Sequence, residues 1–545
     1  LAVTGSPAVP AAWALGPLLW RDENIDQNEV LDDIETLRAL DLPASGIWID
    51  RPYATGVNTF DFEPSLYPDP ADMVRQANDL GLRVGVWHTP YVSDEDAPDL
   101  NAEAESQGYF APTTPIIFNH WGKPIDFTNP DAMDWWQDLI GRYTALGIEG
   151  YKLDYGEDVV IGYGGGSTGW VFSDGTDERV MHKGYPRLYH QAYGETLGPD
   201  GGFLLCRAGT WGDQTTTSII WPGDLDADLS QHRDVRDDGS LAVGGLPAAV
   251  SAAVGLGPSG YPFFGSDTGG YRHSPPSVET FVRWFQHTAL SAVMQVGNSS
   301  STQPWEILAD EPELLDLYRD YSRLHLRLFP ALWTQAQDLA TGGRPLLRPF
   351  GLQEPGWGQH PADVYFLGED LLVAPVVTAG ATTRTFPRPA GDWLAFADGE
   401  ALGGTPGDMV TVDAPLDVLP LFIRAGAVVP LLRPDIDTLA PVAEGTGLES
   451  YANDAGRLWS RAACGGSSTA ALWDGSSIAL TDDGNAVYIS FVEGSVFNQG
   501  AAVELVGLST APASVTADGS TTDDWDFTDG VLTVPAFAGS LRVAR

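Results

Sequence analysis

Two aspartates, each at the end of a largely apolar, strand-like run, carry most of the chemical information in this chain. Asp154 follows residues 148–153 in Gly150-Tyr151-Lys152-Leu153-Asp154-Tyr155-Gly156-Glu157, and Asp224 follows residues 218–221 in Trp221-Pro222-Gly223-Asp224. A carboxylate at the C-terminal tip of a barrel strand points into the pocket where barrel enzymes do chemistry. Two such groups facing one pocket are the minimum equipment for cleaving a glycosidic bond. One must be ionised beside the anomeric carbon, and the other must donate a proton to the leaving oxygen. Lys152 alternates with Asp154, so both side chains point to the same strand face. A nearby ammonium holds a carboxylate ionised. Lysine occurs only at Lys123, Lys152 and Lys183, which makes its presence here informative. Asp224 must hold a proton near neutral pH, which takes an apolar wall or a nearby negative charge. Trp221 supplies the first and Asp154 the second. Asp226 and Asp228 lie two and four residues beyond Asp224 and are its rivals. Taken alone, Asp154 also fits a strand-end cap or a buried ion pair.

These residues need a scaffold that brings strand ends together. From about Trp13 to about Leu328, short apolar runs alternate with helical periodicity, the signature of βα units and a parallel sheet. The pattern predicts eight strands at 13–20, 46–50, 83–89, 147–154, 202–208, 218–221, 261–265 and 292–296. Eight units in about 300 residues fit a (β/α)8 TIM barrel over residues 1–330. Long insertions at about 93–130 and 156–182, the second containing the Gly/Ser-rich stretch 162–169, are expected to build the site. Beyond residue 330, short β-rich runs separated by Gly/Pro turns predict a proximal β-sandwich over 331–433. A distal β-domain follows over 434–545, with Pro430–Pro434 as the linker. The expected fold class is therefore α/β, a (β/α)8 barrel followed by two C-terminal β-sandwich domains.

Composition narrows the partners. The 545 residues carry a net charge of −45, which argues against nucleic acid and anionic membrane surfaces. The acids are scattered and form no tail, and they suit a salty or extracellular medium, so a secreted or extracytoplasmic protein is expected. No apolar run is long enough to span a bilayer. Cys206 and Cys464 fall in different predicted domains. The nine histidines, including His88, His120 and His190, show no metal-ligand spacing, and Gly164–Gly166 lacks the Lys-Ser/Thr of a phosphate loop. No cofactor or metal is expected.

With these features assembled, the chain resembles glycoside hydrolase family 31, the retaining α-glycosidases. The strings that carry the resemblance run in family order over most of the chain. They include Ile47-Trp48-Ile49-Asp50, Phe60-Asp61-Phe62-Glu63-Pro64, Lys152-Leu153-Asp154-Tyr155-Gly156-Glu157, Arg207-Ala208-Gly209 and Trp221-Pro222-Gly223-Asp224. Gly265-Ser266-Asp267-Thr268-Gly269-Gly270-Tyr271 follows, then Gly368-Glu369-Asp370-Leu371-Leu372-Val373-Ala374-Pro375 and Pro420-Leu421-Phe422-Ile423-Arg424. The resemblance implies Asp154 as nucleophile and Asp224 as general acid and then base. It also implies Arg207 and Asp50 as ligands of sugar hydroxyls, with an ion pair and a strand cap as their plainer readings. Trp121, in His120-Trp121-Gly122-Lys123, walls the pocket or fills a loop core. Asp267 matches a signature whose role is more structural than catalytic. Phe264 and Trp284 read as core.

Departures from the family pattern bear on substrate. The Arg-Asn-His-type string that follows the eighth strand in the family's α-glucosidases is replaced by Met294-Gln295-Val296-Gly297-Asn298, without a histidine. The Lys-x-Asp-x-Gly-Glu form resembles the xylosidase, galactosidase and sulfoquinovosidase branches more than the starch-acting one. Arg51 stands after Asp50 where an apolar residue is usual. It is expected to pair with a neighbouring acid, with reception of an acidic sugar as the alternative. Family members carry an N-terminal β-sandwich ahead of the barrel, so such a segment is expected to have been removed or to exist as a separate piece. Oligomerisation is left open. The expected function is exo-acting, retaining hydrolysis of a terminal α-linked sugar from an oligosaccharide or glycoside. An α-transglycosylase on the same scaffold and a non-catalytic sugar-binding barrel are the competing readings.

Overall fold

A computed structural model describes residues 3–112, 121–160, 169–198, 201–216, 219–358 and 360–545. Eight parallel strands form the first sheet: β1 (Leu18–Arg21), β2 (Gly46–Ile49), β3 (Arg83–His88), β4 (Gly150–Leu153), β5 (Phe203–Cys206), β6 (Ile219–Ile220), β7 (Asp267–Thr268) and β8 (Gln295–Val296). β1 pairs with both β2 and β8, and β6 meets the seventh segment through a parallel bridge between Ile220 and Phe264, so the sheet closes into a barrel. The β6 seam is sealed by the Ile220 N–H on the Phe263 carbonyl and the Gly265 N–H on the Ile220 carbonyl, both 3.1 Å.

The helices between the strands begin where side chains cap them. Asp26 accepts the N–H groups of Asn28 and Glu29 to start Gln27–Ala39, and Asp69 accepts that of Asp72 to start Pro70–Asp79. Asn129 and Ser277 do the same for Pro130–Thr144 and Val278–Thr288. The strands themselves are buried along nearly their whole length, as expected of a parallel sheet covered by helices.

Two predicted strands are corrected. Ala12–Leu15 is a 3-10 turn whose Trp13 seals the barrel floor against Phe203, so β1 starts at Leu18 and ends one residue later than expected. The seventh strand proper is Asp267–Thr268, beyond the predicted 261–265. That shift puts Asp267 inside the sheet.

The C-terminal third is all β apart from short helical turns. The proximal unit is a five-stranded antiparallel sheet ordered Leu347–Pro349, Tyr365–Leu367, Leu371–Val373, Leu421–Arg424, Trp393–Ala395. The antiparallel pair of Thr383–Pro387 with Met409–Asp413 packs Phe386 into a cluster with Phe366, Trp393 and Phe422. The distal unit stacks a five-stranded sheet on a six-stranded one. Pro430 is not a linker residue: it lies inside Val428–Leu431, which pairs antiparallel with Trp459–Ala463 and opens the distal sheet. A proline is tolerated at the end of a sheet, where no partner needs its N–H.

Both units dock away from the strand tips that matter. In the helix Val278–Thr288, Arg283 donates to the carbonyls of Ala414 (2.7 Å) and Val418 (3.0 Å) in the proximal unit. Thr438 of the distal unit donates to the Gly81 carbonyl (2.6 Å), and the Leu439 N–H bonds the Ser45 hydroxyl (2.9 Å). Gly81 and Ser45 precede β3 and β2, so this contact supports the N-terminal end of the barrel, the stability face of such folds. Among the described residues no helix is long and apolar enough to cross a membrane.

Candidate active site

The strand register stacks the barrel interior in layers. Trp20, Trp48, Gly85, Gly150 and Phe203 are partners across β1 to β5 and form an apolar floor. Trp20 and Trp48 stack at 5.3 Å, and Trp48 lies on Phe203 at 5.6 Å. Gly297 after β8 leaves the space that Trp20 fills, because a Cβ there would come within 2.2 Å of the indole. Two residues further along each strand, the inward position holds Asp22, Asp50, Trp87, Lys152 and Leu205. One more step brings Asp154 and Arg207. Alternation along parallel strands thus places an ionisable layer directly on an aromatic floor.

Asp50 and Lys152 form the buried pair of this layer, Nζ to Oδ2 at 2.7 Å, with side chains 2% and 7% exposed. The ammonium also lies 4.1 Å from the centre of the Trp20 ring and 5.5 Å from that of Trp221. Burial pushes the Asp50 carboxyl up to about 6 against the pull of Lys152. Burial alone would lower Lys152, but Asp50 foremost, then Asp267 and Asp154, hold it above its ordinary value. The pair is therefore ionic at neutral pH. Lys152 was expected to serve Asp154 directly; its contact partner is Asp50, because the same-face spacing left β2, two strands away across the barrel sheet, out of account.

The cation on Asp154 is Arg207, whose Nη1 lies 2.8 Å from Oδ1. Trp87 Nε1 donates to Oδ2 at 3.1 Å, and the Tyr155 N–H donates to Oδ1 at 2.9 Å. Three donors thus fix the carboxylate while it remains open to the pocket. Arg207 is itself fixed by Glu157 Oε1 (2.8 Å) and by stacking on Tyr155, 3.9 Å from Cζ to the ring centre. Tyr155 has φ of +60°, a left-handed conformation costly for a bulky residue, and Gly156 follows at +94°. This reversal aims Asp154 inward and returns Glu157 to Arg207.

Asp224 sits beyond Gly223, which turns the chain at φ +76°. It is exposed to the pocket, and among the described residues no donor bonds its carboxylate. The surrounding walls raise its pKa by desolvation, and the Asp154 charge adds to the shift, while Lys152 and Arg207 oppose it. The rivals are occupied elsewhere. Asp226 is buried and accepts the Val243 (2.7 Å) and Gly244 (3.1 Å) N–H groups and Arg236 (2.8 Å). Asp228 accepts Ser230 and Arg236. Both hold the loop after β6 in shape.

Trp221, expected to wall Asp224, is buried. Asp267 is buried in β7, takes the Gln295 amide at 2.9 Å, and is pushed by burial up to about 8, with Lys152 opposing the shift and Asp224 adding to it. Burial thus favours its protonated form inside the sheet. Phe264 and Trp284 are core, the latter bonded to the Ser266 hydroxyl. Trp121 packs edge-on to Trp87 (5.4 Å) and Tyr155 (5.8 Å), so the long loop after β3 does reach the site. His120 and most of the 162–169 stretch lie outside the described residues. Arg51 contradicts the pairing expected of it: among the described residues it makes no ion pair, and its guanidinium lies over Trp121 (5.1 Å) and Trp87 (5.8 Å).

Sequence reasoning missed Trp87, Asp22 and Tyr271. Tyr271 stacks on Trp20 and donates its hydroxyl to Asp22 at 2.7 Å. Asp22 follows β1 directly, and the strand-tip rule that found Asp154 would have found it had β1 been ended at Arg21. Among the described residues no group of three or more His, Cys, Asp or Glu is arranged to hold a metal ion.

Comparison with known proteins agrees with this fold. The glycosyl hydrolases family 31 TIM-barrel domain matches residues 7–335, and the glycosyl hydrolase family 31 C-terminal domain matches residues 343–429. An alpha-xylosidase of Emericella nidulans is 28% identical over 455 residues, 79% of this chain and 54% of that protein. A sulfoquinovosidase of Agrobacterium fabrum is 29% identical over 418 residues, 72% of this chain and 60% of that protein. An isomaltosyltransferase of Sporosarcina globispora is 25% identical over 513 residues, 84% of this chain and 44% of that protein. The chain spans about half the length of the curated relatives it matches. Among solved structures, the cycloalternan-forming enzyme from Listeria monocytogenes superposes with a TM-score of 0.82 at 23% identity, over 100% of this chain and 55% of that one.

Proposed function

The chain belongs to glycosyl hydrolase family 31, and from that premise we propose that it is a retaining, exo-acting α-glycosidase working by double displacement. The observation that carries the reading is the contrast between two carboxyls in one pocket: Asp154, clamped by Arg207 and Trp87, and Asp224, free of donors among the described residues and raised in pKa. Asp154 attacks the anomeric carbon while Asp224 gives its proton to the departing glycosidic oxygen. Asp224, now a base, takes a proton from water, whose oxygen displaces the Asp154 carboxylate from the sugar. Retention requires the two carboxyl groups to lie roughly 5–5.5 Å apart. Arg207 spreads the Asp154 charge before and after the ester exists, and Asp50 and Asp22 receive sugar hydroxyls above the Trp20 floor. The acidic surface supports a secreted protein.

The test is hydrolysis of a panel of 4-nitrophenyl α-glycosides with the released anomer followed by NMR. Turnover of an α-glycoside with retention is expected, and release of the inverted anomer would overturn the mechanism. A second reading, transfer to an acceptor sugar, is favoured by the isomaltosyltransferase among the relatives. It shares the covalent intermediate and differs only in what attacks it. Excess acceptor sugar separates the two: a new oligosaccharide in place of free sugar marks transfer.

A further inference from the structure

Arg51 is the cation the mechanism leaves unused. The other two cations named at this site are partnered. Lys152 is neutralised by Asp50, and Arg207 by Asp154 and Glu157. Arg51, half-buried, makes no ion pair among the described residues, and no side-chain hydrogen bond from its guanidinium to protein is found there. In a chain with 74 acids and 29 basic residues, a cation in a pocket without an acidic partner is an arrangement the fold maintains.

Its surroundings explain how. Trp87 and Trp121 meet edge-on at 5.4 Å, and the guanidinium lies over both rings. Aromatic faces hold a guanidinium by its plane and leave its in-plane N–H groups free, the edge that matches an oxyanion two bonds at a time. Arg51 lines a cavity of about 270 Å³ together with Trp87, Trp121, Thr55, Asn58 and Asp96. Among the described residues Asp96 is the one acid on that lining, and it makes no ion pair with Arg51. Trp87 ties this cavity to the chemistry, because its Nε1 bonds Asp154 while its ring bears Arg51.

Resting on the glycosidase reading above, we propose that Arg51 receives an oxyanion carried by the sugar unit being cleaved, so that the preferred substrate is an anionic α-glycoside. Carboxylate and sulfonate share the required chemistry.

The experiment compares 4-nitrophenyl α-glucuronide, α-sulfoquinovoside and α-glucoside as substrates of the full chain and its Arg51→Leu and Arg51→Lys variants. Free glucuronate, sulfoquinovose and glucose are titrated by calorimetry in parallel. The expected result is a kcat/KM at least about tenfold higher on one anionic glycoside than on the glucoside. R51L should lower it about 30-fold more on that glycoside than on the glucoside, with R51K between. Which anion wins assigns carboxylate or sulfonate. A preference for the glucoside, or equal losses on neutral and anionic substrates, overturns the proposal and leaves the glycosidase reading standing. Silence of every glycoside fails the glycosidase reading, and the calorimetry then decides this one. Tighter binding of an anionic sugar that R51L abolishes supports it, and indifference to charge overturns it.

Discussion

Aspartates at strand tips occur in both the barrel and the distal β-unit, and the two regions treat them in opposite ways. In the distal unit, Asp482 ends the strand Ser477–Asp482 and accepts the Gly484 (2.9 Å) and Gly465 (2.8 Å) N–H groups as well as Arg545. Asp518 accepts the N–H groups of Ala538, Gly539 and Ser540 within 3.0 Å. Backbone donors hold Asp518 below its usual range, and for Asp482 they, together with Arg545, outweigh burial. On the barrel top, burial instead raises Asp224, raises Asp50 to about 6 and raises Asp267 to about 8. A turn aspartate is ionised to satisfy backbone. Among the described residues the Asp224 and Asp267 carboxyls take no backbone donor, so their proton affinity is set by walls and by other charges, the condition for proton transfer.

The severest way to break this comparison is to remove the clamped carboxylate. Asp154→Asn should lower kcat by at least about 10³-fold with folding intact, as loss of a nucleophile does. Circular dichroism alongside glycoside turnover checks it. Normal turnover would remove the nucleophile assignment.

Asp224→Asn should cost about 10²- to 10⁴-fold, the range for general acid–base catalysis. Wild-type activity should fall as pH rises through the raised Asp224 pKa, and the variant should lose that basic limb. In D154N the neighbouring charge is gone, so the Asp224 pKa, read by NMR, should move down toward its ordinary value. An unmoved pKa would mean that the two carboxyls do not sense each other.

Trp87→Phe sharpens the contrast, because it takes one donor from Asp154 while keeping an aromatic ring in the wall. A bond to a charged group is worth about 1.5–3 kcal/mol, so kcat should fall about 10- to 100-fold. A loss confined to KM would make Trp87 a sugar contact only.

The smallest effect is on stability, and it has opposite signs in the two regions. Asp267 in the fold binds its proton up to about pH 8, against about 3.9 when unfolded. The folded state therefore holds the extra proton between those values, and the Asp267 contribution to stability is lost as pH rises from about 4 to about 8. Asp518 is depressed, so its contribution is present above about 4 and is lost as pH falls. D267N should flatten the decline of Tm on the neutral side, and D518N the decline on the acid side. The same slopes in both variants would contradict the contrast.

Legibility followed the period of each element. Alternation of strand and helix made the barrel readable, and the strand-tip rule pointed to Asp154 and Asp224 because short strands end where their apolar run ends, while Asp50 and Arg207 came from the family resemblance. It failed at β1, where the apolar stretch from Trp13 continues through a 3-10 turn, and so passed over Asp22. It failed at Pro430, where composition suggested a linker but pairing with Trp459–Ala463 makes a strand. Trp87 was invisible because an aromatic near a strand end looks the same whether it fills core or donates to a carboxylate.

The sequence by itself determined the eightfold βα architecture, the β-rich C-terminal third, and which residue types gather at the strand ends, because these depend on local periodicity and chain order. Only the tertiary structure decided the partners: Lys152 with Asp50, Arg207 with Asp154, Asp226 with the loop that it holds, and Arg51 with two indoles in place of an acid. Strand spacing fixes the face on which a side chain lies. Register and barrel closure fix what stands across from it, and whether an aspartate keeps or releases its proton depends on that neighbour.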